Sequence, residues 1–188
     1  TATITADESL DIEVKVLDQY GNLVPQQNIQ WQNSNGSLST ITPSSGWNEA
    51  QRFFAWTAGQ QTVDVIWNSI SIEVMITVTT GAPSYFEMSP CSENVSAGED
   101  CQFTFILRDA KMNELQLSEA GNISWQVDDG NMTTAGLYSA DKVGTWNVNL
   151  SSASGASASS MIIVGHGLID YLRIDVSNES VSADDIVW

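Results

Sequence analysis

"YFEMSPCSENVSAGED" (residues 85–100) and "YLRIDVSNESVSADD" (171–185) are two versions of one segment. Tyr85 lies over Tyr171, Val95 over Val181, and Ser96-Ala97 over Ser182-Ala183, each 86 residues apart. "MITV" (75–78) returns as "MIIV" (161–164) at the same offset of 86. "NIQWQ" (28–32) matches "NISWQ" (122–126), and "AGQQTVDV" (58–65) resembles "VGTWNVNL" (143–150). The start, "ITADESLDIEVKVLD" (4–18), lies over "VSAGEDCQFTFILRD" (95–109). The offsets drift between blocks as loop insertions would make them drift. A period of this length is the mark of a repeated structural unit. The chain therefore reads as a repeat lacking its first strand (1–80), a complete repeat (81–166), and the first strand of a third (167–188). Gly and Pro in "TTGAPS" (79–84) and "GHG" (165–167) punctuate the boundaries.

Within each repeat the apolar residues alternate with period two, the signature of half-buried strands. Leu10, Ile12, Val14 and Val16 face one way, and Asp11, Glu13 and Lys15 the other. Cys101, Phe103, Phe105 and Leu107 hold the inward phase in the second repeat. Val63 and Val65, then Ile70, Ile72, Val74, Ile76 and Val78, complete the first. Ile29 shares a face with Trp31, and Ile123 with Trp125, which makes Trp31 and Trp125 the expected core anchors. "DQYGN" (18–22) is a turn in which Gly supplies positive φ. No stretch carries a helical apolar stripe. Short strands and turns in units of this size predict an all-β chain of antiparallel sandwiches.

"VLDQYGNLVPQQNIQW" (16–31), followed by "NGSLS", "TAGQQTVDV" and "ISIEVMITV", resembles the bacterial immunoglobulin-like repeats of the invasin and intimin type. Asp18, Gly21, Asn22, Val24, Trp31, Gly36, Leu38, Gly59 and Val63 carry the likeness. The second repeat follows in part: "RDAKMNELQL" lacks a Gly at position 112, and "VDDGNMTT" stands where the first has "NSNGSLST". The resemblance implies tandem immunoglobulin-like β-sandwiches. It also implies the setting of that family, surface arrays serving as stalks, spacers and adhesins; archaeal surface layers are built from similar repeats. Fold alone implies no activity.

Charge narrows the partners. Six Lys and Arg against 23 Asp and Glu give a net charge of −17. Such a surface repels nucleic acid and disfavours anionic membranes. No segment reaches the roughly 18 apolar residues of a membrane span, so direct insertion is not expected. Residue 1 already lies in a strand-like pattern without a signal peptide, which predicts a piece of something longer.

The residues that could carry chemistry are few. Cys91 and Cys101 in "CSENVSAGEDC" are too far apart for a redox or zinc pair. A reversal between them brings them within disulfide range, which implies an oxidising, extracytoplasmic compartment. The alternative is two unrelated buried thiols. Sequons at Asn35, Asn94, Asn122, Asn131, Asn149 and Asn178 agree with an exterior location. His166, in the "GHG" linker, lacks the support a triad histidine needs. The serine-rich "SSASGASASS" (151–160) has no base nearby and reads as an edge hairpin, with Ala156 and Ala158 where the first repeat has Ile70 and Ile72. The acidic pairs Asp7-Glu8 and Glu99-Asp100 are weak calcium candidates without a calcium-loop spacing; a solvated acidic turn is the simpler reading. Of seven tryptophans, only Trp47 and Trp56 lack an obvious core or chain-end place, which is thin support for a sugar-binding platform.

These readings converge on a structural module of a secreted or cell-surface protein: a stalk, surface-layer or adhesin spacer with no enzymatic activity, no cofactor, and neighbouring repeats as its partners. One alternative is an adhesin domain recognising glycan or protein, which would need Trp47 and Asn113–Glu119 to form a concave patch. Another is a non-catalytic appendage of a larger surface enzyme. The terminal stretch 171–188 is an opening strand with no body of its own, and the first repeat lacks such a strand. Head-to-tail self-association through 171–188 would satisfy both.

Overall fold

The structure is a computed structural model and describes residues 1–25, 28–92 and 94–175. Two immunoglobulin-like β-sandwiches follow one another along the chain. The first contains β1 (Ala2–Thr5), β2 (Ser9–Val14), β3 (Gln30–Asn33), β4 (Ser37–Ile41), β5 (Glu49–Phe54), β6 (Gly59–Trp67) and β7 (Ile70–Thr79). A four-stranded sheet in the order β1-β7-β6-β3 packs on a three-stranded sheet β2-β5-β4. The inward phase of the strands makes the core: Ile4, Phe53, Val63, Ile76 and Val78 are buried together, and Leu10, Ile12 and Trp31 pack against them.

The second contains β8 (Pro83–Ser89), β9 (Asn94–Ser96), β10 (Asp100–Gln102), β11 (Thr104–Asp109), a 3-10 helix (Leu117–Ala120), β12 (Ile123–Val127), β13 (Asn131–Met132), β14 (Leu137–Ser139), β15 (Gly144–Ser152) and β16 (Ser157–Gly165). The larger sheet runs β11-β8-β16-β15-β12, with β9 also on β16, and the smaller β10-β14-β13. Pairing is antiparallel except along β1–β7, β9–β16 and the single β8–β16 contact, where a chain-entry strand lies parallel to the last strand of its sandwich. The serine-rich hairpin is not at an edge: β16 lies between β15 and the strands β8 and β9. Small Ser and Ala side chains there leave room for the β8 residues packed over them.

The repeat seen in sequence is also a repeat of detail. Asp18 N–H donates to Asn22 O, and Gly21 N–H to Asp18 O. Asp109 N–H donates to Asn113 O, and Met112 N–H to Asp109 O, which is the same turn. Met112 takes φ 67° where Gly21 has 83°, so the missing glycine is replaced by a strained residue and not by a different turn. Gly36 and Gly130 also correspond: a Cβ at either would strike a strand carbonyl, that of Phe54 or of Ser139. The second repeat therefore keeps this glycine, although the residues around it differ.

One element has no counterpart. In the second sandwich β8 pairs with β11 from Thr104 to Asp109. In the first, β2 pairs with β5, and no described strand occupies the equivalent of β8. Residues 166–175 form no strand, and 176–188 lie outside the described residues. The expected third-repeat strand is thus described only at Tyr171–Asp175, where Tyr171, Leu172 and Ile174 are exposed. No described helix is long and apolar enough to cross a membrane.

Candidate functional site

The densest polar cluster lies where the two sandwiches meet. Asp109 ends β11 and is fully buried. Its Oδ1 accepts from the backbone N–H of Lys111 and of Asn113, each at 2.8 Å. Its Oδ2 accepts from Asn113 Nδ2 and from the Gly81 N–H of the linker, again at 2.8 Å. Burial pushes this carboxyl pKa up, but the hydrogen bonds from Asn113, Gly81 and Lys111 outweigh it and hold the group below its ordinary value. Asn113, so fixed, reaches the first sandwich: its Nδ2 donates to Trp56 O at 2.9 Å, and its Oδ1 accepts from Ala58 N–H at 2.9 Å. Asp7 Oδ2 accepts the linker N–H of Ala82 at 2.9 Å. A side-chain amide reading two backbone groups fixes direction as well as distance.

The same turn in the first sandwich faces solvent. Asp18 Oδ1 accepts from Tyr20 and Asn22 N–H, and Oδ2 from Asn22 Nδ2. Asn22 foremost lowers its pKa. Among the described residues no donor takes on Asp18 the place that Gly81 fills on Asp109, and Leu17, Tyr20 and Leu23 around the turn are exposed.

Beside this turn an apolar groove of about 180 Å³ opens between Val14–Leu17 and the start of β7. Ile70 and Ile72 line it at 56% and 59% exposure, although they share the inward phase of buried Ile76 and Val78. Their counterparts in the second sandwich are Ala156, which is buried, and Ala158, which packs against the same cluster beneath Phe86 of β8.

The remaining expected residues fall elsewhere. Cys91 and Cys101 are joined, Cα to Cα 5.5 Å, pinning the end of β8 to β10. Trp31 and Trp125 are half-buried and bridge two apolar clusters each. Trp31 Nε1 donates to Glu49, and Trp125 Nε1 to Thr134 O, so each indole sits at the core margin with its polar end satisfied. Glu8 and Glu99 accept the N–H of Thr5 and Ser96, closing matching turns; Asp100 is an exposed residue of β10. Among the described residues no three potential metal ligands converge. Trp47 lies beneath Lys15 Nζ, 4.3 Å from the ring centroid, while Asn113 is held at Trp56, so these residues serve different neighbours. Asn94, Asn122 and Asn131 are exposed, Asn35 and Asn149 half-buried, and Asn178 lies outside the described residues. His166 is exposed in the linker.

Sequence reasoning placed Asn113 only in the loop of a possible binding patch; its role at the joint was invisible, because its partners are backbone groups 55 and 57 residues earlier. The signal that could have found it is the Asp-x-x-x-Asn spacing shared by 18–22 and 109–113.

No protein-family model matches the sequence, and no curated protein matches it. Solved structures do. The D00-D0 domain of intimin is 14% identical, covers 86% of this chain and 94% of its own, with a TM-score of 0.49. InvD of Yersinia pseudotuberculosis is 18% identical, covering 92% and 58%, with a TM-score of 0.44. Domains 5–6 of the S-layer protein SbsC are 14% identical, covering 89% and 94%, with a TM-score of 0.36. The chain spans 30% of a longer SbsC structure, of domains 4–9, and 56% of that of the Yersinia pseudotuberculosis adhesin InvE. At such identities none of these proteins lends a residue assignment. In fold, the chain is a tandem of immunoglobulin-like β-sandwiches joined through the Asp109–Asn113 turn.

Proposed function

We propose that this chain is a structural module of a secreted or cell-surface protein, a spacer whose work is to hold successive sandwiches in a set relation. The observation that carries the reading is the joint. A buried carboxylate fixes an asparagine that bonds two backbone groups of the preceding sandwich, while the linker N–H closes on the same carboxylate. A flexible tether needs none of this, and inter-domain motion is the default where contacts are few and polar. The Cys91–Cys101 pair supports an oxidising compartment, and the net charge of −17 suits a soluble, non-adhering exterior. The reading assigns the chain no reaction and no cofactor.

Small-angle scattering on the full chain and on Asn113→Ala tests it. The wild type should fit one fixed arrangement of two sandwiches, and the variant a broadened set, with both sandwiches still folded by circular dichroism. A wild type as loosely jointed as the variant would defeat the spacer reading.

A further inference from the structure

Asn35 and Gly36, in "NSNGS" (33–37), turn the chain from β3 into β4, and of all the asparagines only Asn35 is followed by glycine. An asparagine so placed is open to attack by its own neighbour, since glycine puts no side chain in the path of its backbone nitrogen. Here the fold dictates the glycine. Gly36 holds φ 84°, and a Cβ on it would strike the Phe54 carbonyl and the Phe53 ring. The turn also brings the two reacting groups together. Gly36 N–H donates to Asn35 Oδ1 at 2.6 Å. Cγ is one C=O bond, about 1.23 Å, beyond that oxygen, so the nitrogen stands within about 3.8 Å of it. Among the described residues no other hydrogen bond holds the Asn35 carboxamide, and the broad χ2 torsion lets it turn its carbon toward the nitrogen.

The second sandwich builds the same turn with an aspartate already in place. Residues 33–37 lie over 127–131, so Asp129 stands where the first sandwich has Asn35. Ser34 N–H donates to Thr62 O, and Asp128 N–H to Asn147 O, each continuing the pairing of the strand before it. Gly130 holds φ 88° beneath the Ser139 carbonyl, as Gly36 sits beneath that of Phe54. The turn therefore accepts an acid on a chain of ordinary length. It has no slack for a longer chain. Asn33 Nδ2 donates to both Asn35 O and Gly36 O, at 2.9 and 3.2 Å, and Gly36 already lies against the Phe53 ring. One more main-chain carbon between residues 35 and 36 would part these groups.

We propose that Asn35-Gly36 is a site of spontaneous covalent modification in the folded chain, closing to a succinimide that opens to aspartate or isoaspartate. A base takes the proton of the Gly36 amide, and the nitrogen bonds to Asn35 Cγ. The Cγ–Nδ2 bond breaks, and Nδ2 leaves with a proton as ammonia. Water then opens the ring. Breaking the new N–Cγ bond gives aspartate on the original chain; breaking the old peptide bond gives isoaspartate, with the chain running through Cγ. One water enters and one ammonia leaves, with no change of oxidation state. Each event adds a carboxylate to a chain already at −17. The aspartate form keeps the turn as Asp129 does. The isoaspartate form loses the Asn33 bridge and loosens the corner between β3 and β4. This goes beyond the spacer reading and does not depend on it.

Peptide mapping by mass spectrometry, on the full chain kept folded in warm, mildly alkaline buffer, reads the conversion. Asn35 should convert at least tenfold faster than any other asparagine, and faster as pH rises, because the attacking nitrogen must lose its proton. Fragmentation that separates the two acids should find both. Asn35→Gln, whose ring would need one more atom, should stay unmodified over the same period. Once the forms are separated by chromatography, the aspartate form should melt with the wild type and with Asn35→Asp, and the isoaspartate form below them. An Asn35 that survives in the folded chain but converts when the chain is unfolded in urea would mean that the turn guards the pair, and the inference would be overturned. Conversion no faster than at the other asparagines overturns it too, as does an isoaspartate form that melts with the wild type.

Discussion

Asp109 is a carboxylate removed from water and repaid by four N–H donors, so its charge is tied to the folded joint. Replacing it by Asn keeps the shape but swaps one acceptor oxygen for a donor facing other donors. The cost should be about 2–3 kcal/mol, the range for hydrogen bonds to a charged group. The loss should also depend on pH in a definite direction. A folded-state pKa below the ordinary value of 3.8 means the contribution is complete above that value and fades as pH falls through it. The stability gap between wild type and Asp109→Asn, measured by urea unfolding, should therefore close as the solution is acidified below the ordinary carboxyl range; a gap independent of pH would remove the carboxylate from this role. Three residues on, Met112 holds φ 67° with its side chain exposed. A left-handed conformation costs a non-glycine residue about 1–2 kcal/mol. Met112→Gly should recover about 1 kcal/mol in thermal unfolding of the second sandwich, less the entropy a glycine returns to the unfolded chain. No gain at all would mean that Met112 earns its place against Trp56.

Strands were legible in the sequence because one face of each is buried, which forces period two on the residues. Val63, Ile76, Phe103 and Leu107 came out buried as their phase required. Trp125 also came out on the core side, touching Phe103 and Phe105 edge to face with centroids 6.0 and 5.4 Å apart. Trp125→Ala should cost about 3–5 kcal/mol, toward the lower end because the indole is half-buried. A second sandwich that melts unchanged would refute the anchoring. The Cys91–Cys101 staple closes a short loop, worth about 2–3 kcal/mol by chain entropy. Thiol titration of denatured, unreduced protein should find no free thiol. What periodicity could not reveal is anything whose partner is backbone far along the chain. Asn113 looks like an ordinary turn residue until Trp56 and Ala58 are brought beside it. The exposure of Ile70 and Ile72 was hidden for a related reason: their phase is inward, and alternation along one strand does not say whether another strand lies beside it.

At the scale of the molecule, the net charge of −17 works against the packing that it surrounds. Carboxylates spread over the sandwiches repel one another more in the folded chain than in the unfolded one, where they stand farther apart. Salt shortens the reach of that repulsion, from about 30 Å at 0.01 M to about 8 Å at 0.15 M, while leaving backbone hydrogen bonds and apolar burial nearly untouched. Thermal stability should therefore rise as sodium chloride is taken from low to physiological levels and then level off. A fold held mainly by attraction between exposed opposite charges does the reverse and weakens with salt. Calorimetry across a salt series distinguishes the two. A melting temperature that falls with added salt would mean that attractive pairs outweigh the excess of negative charge.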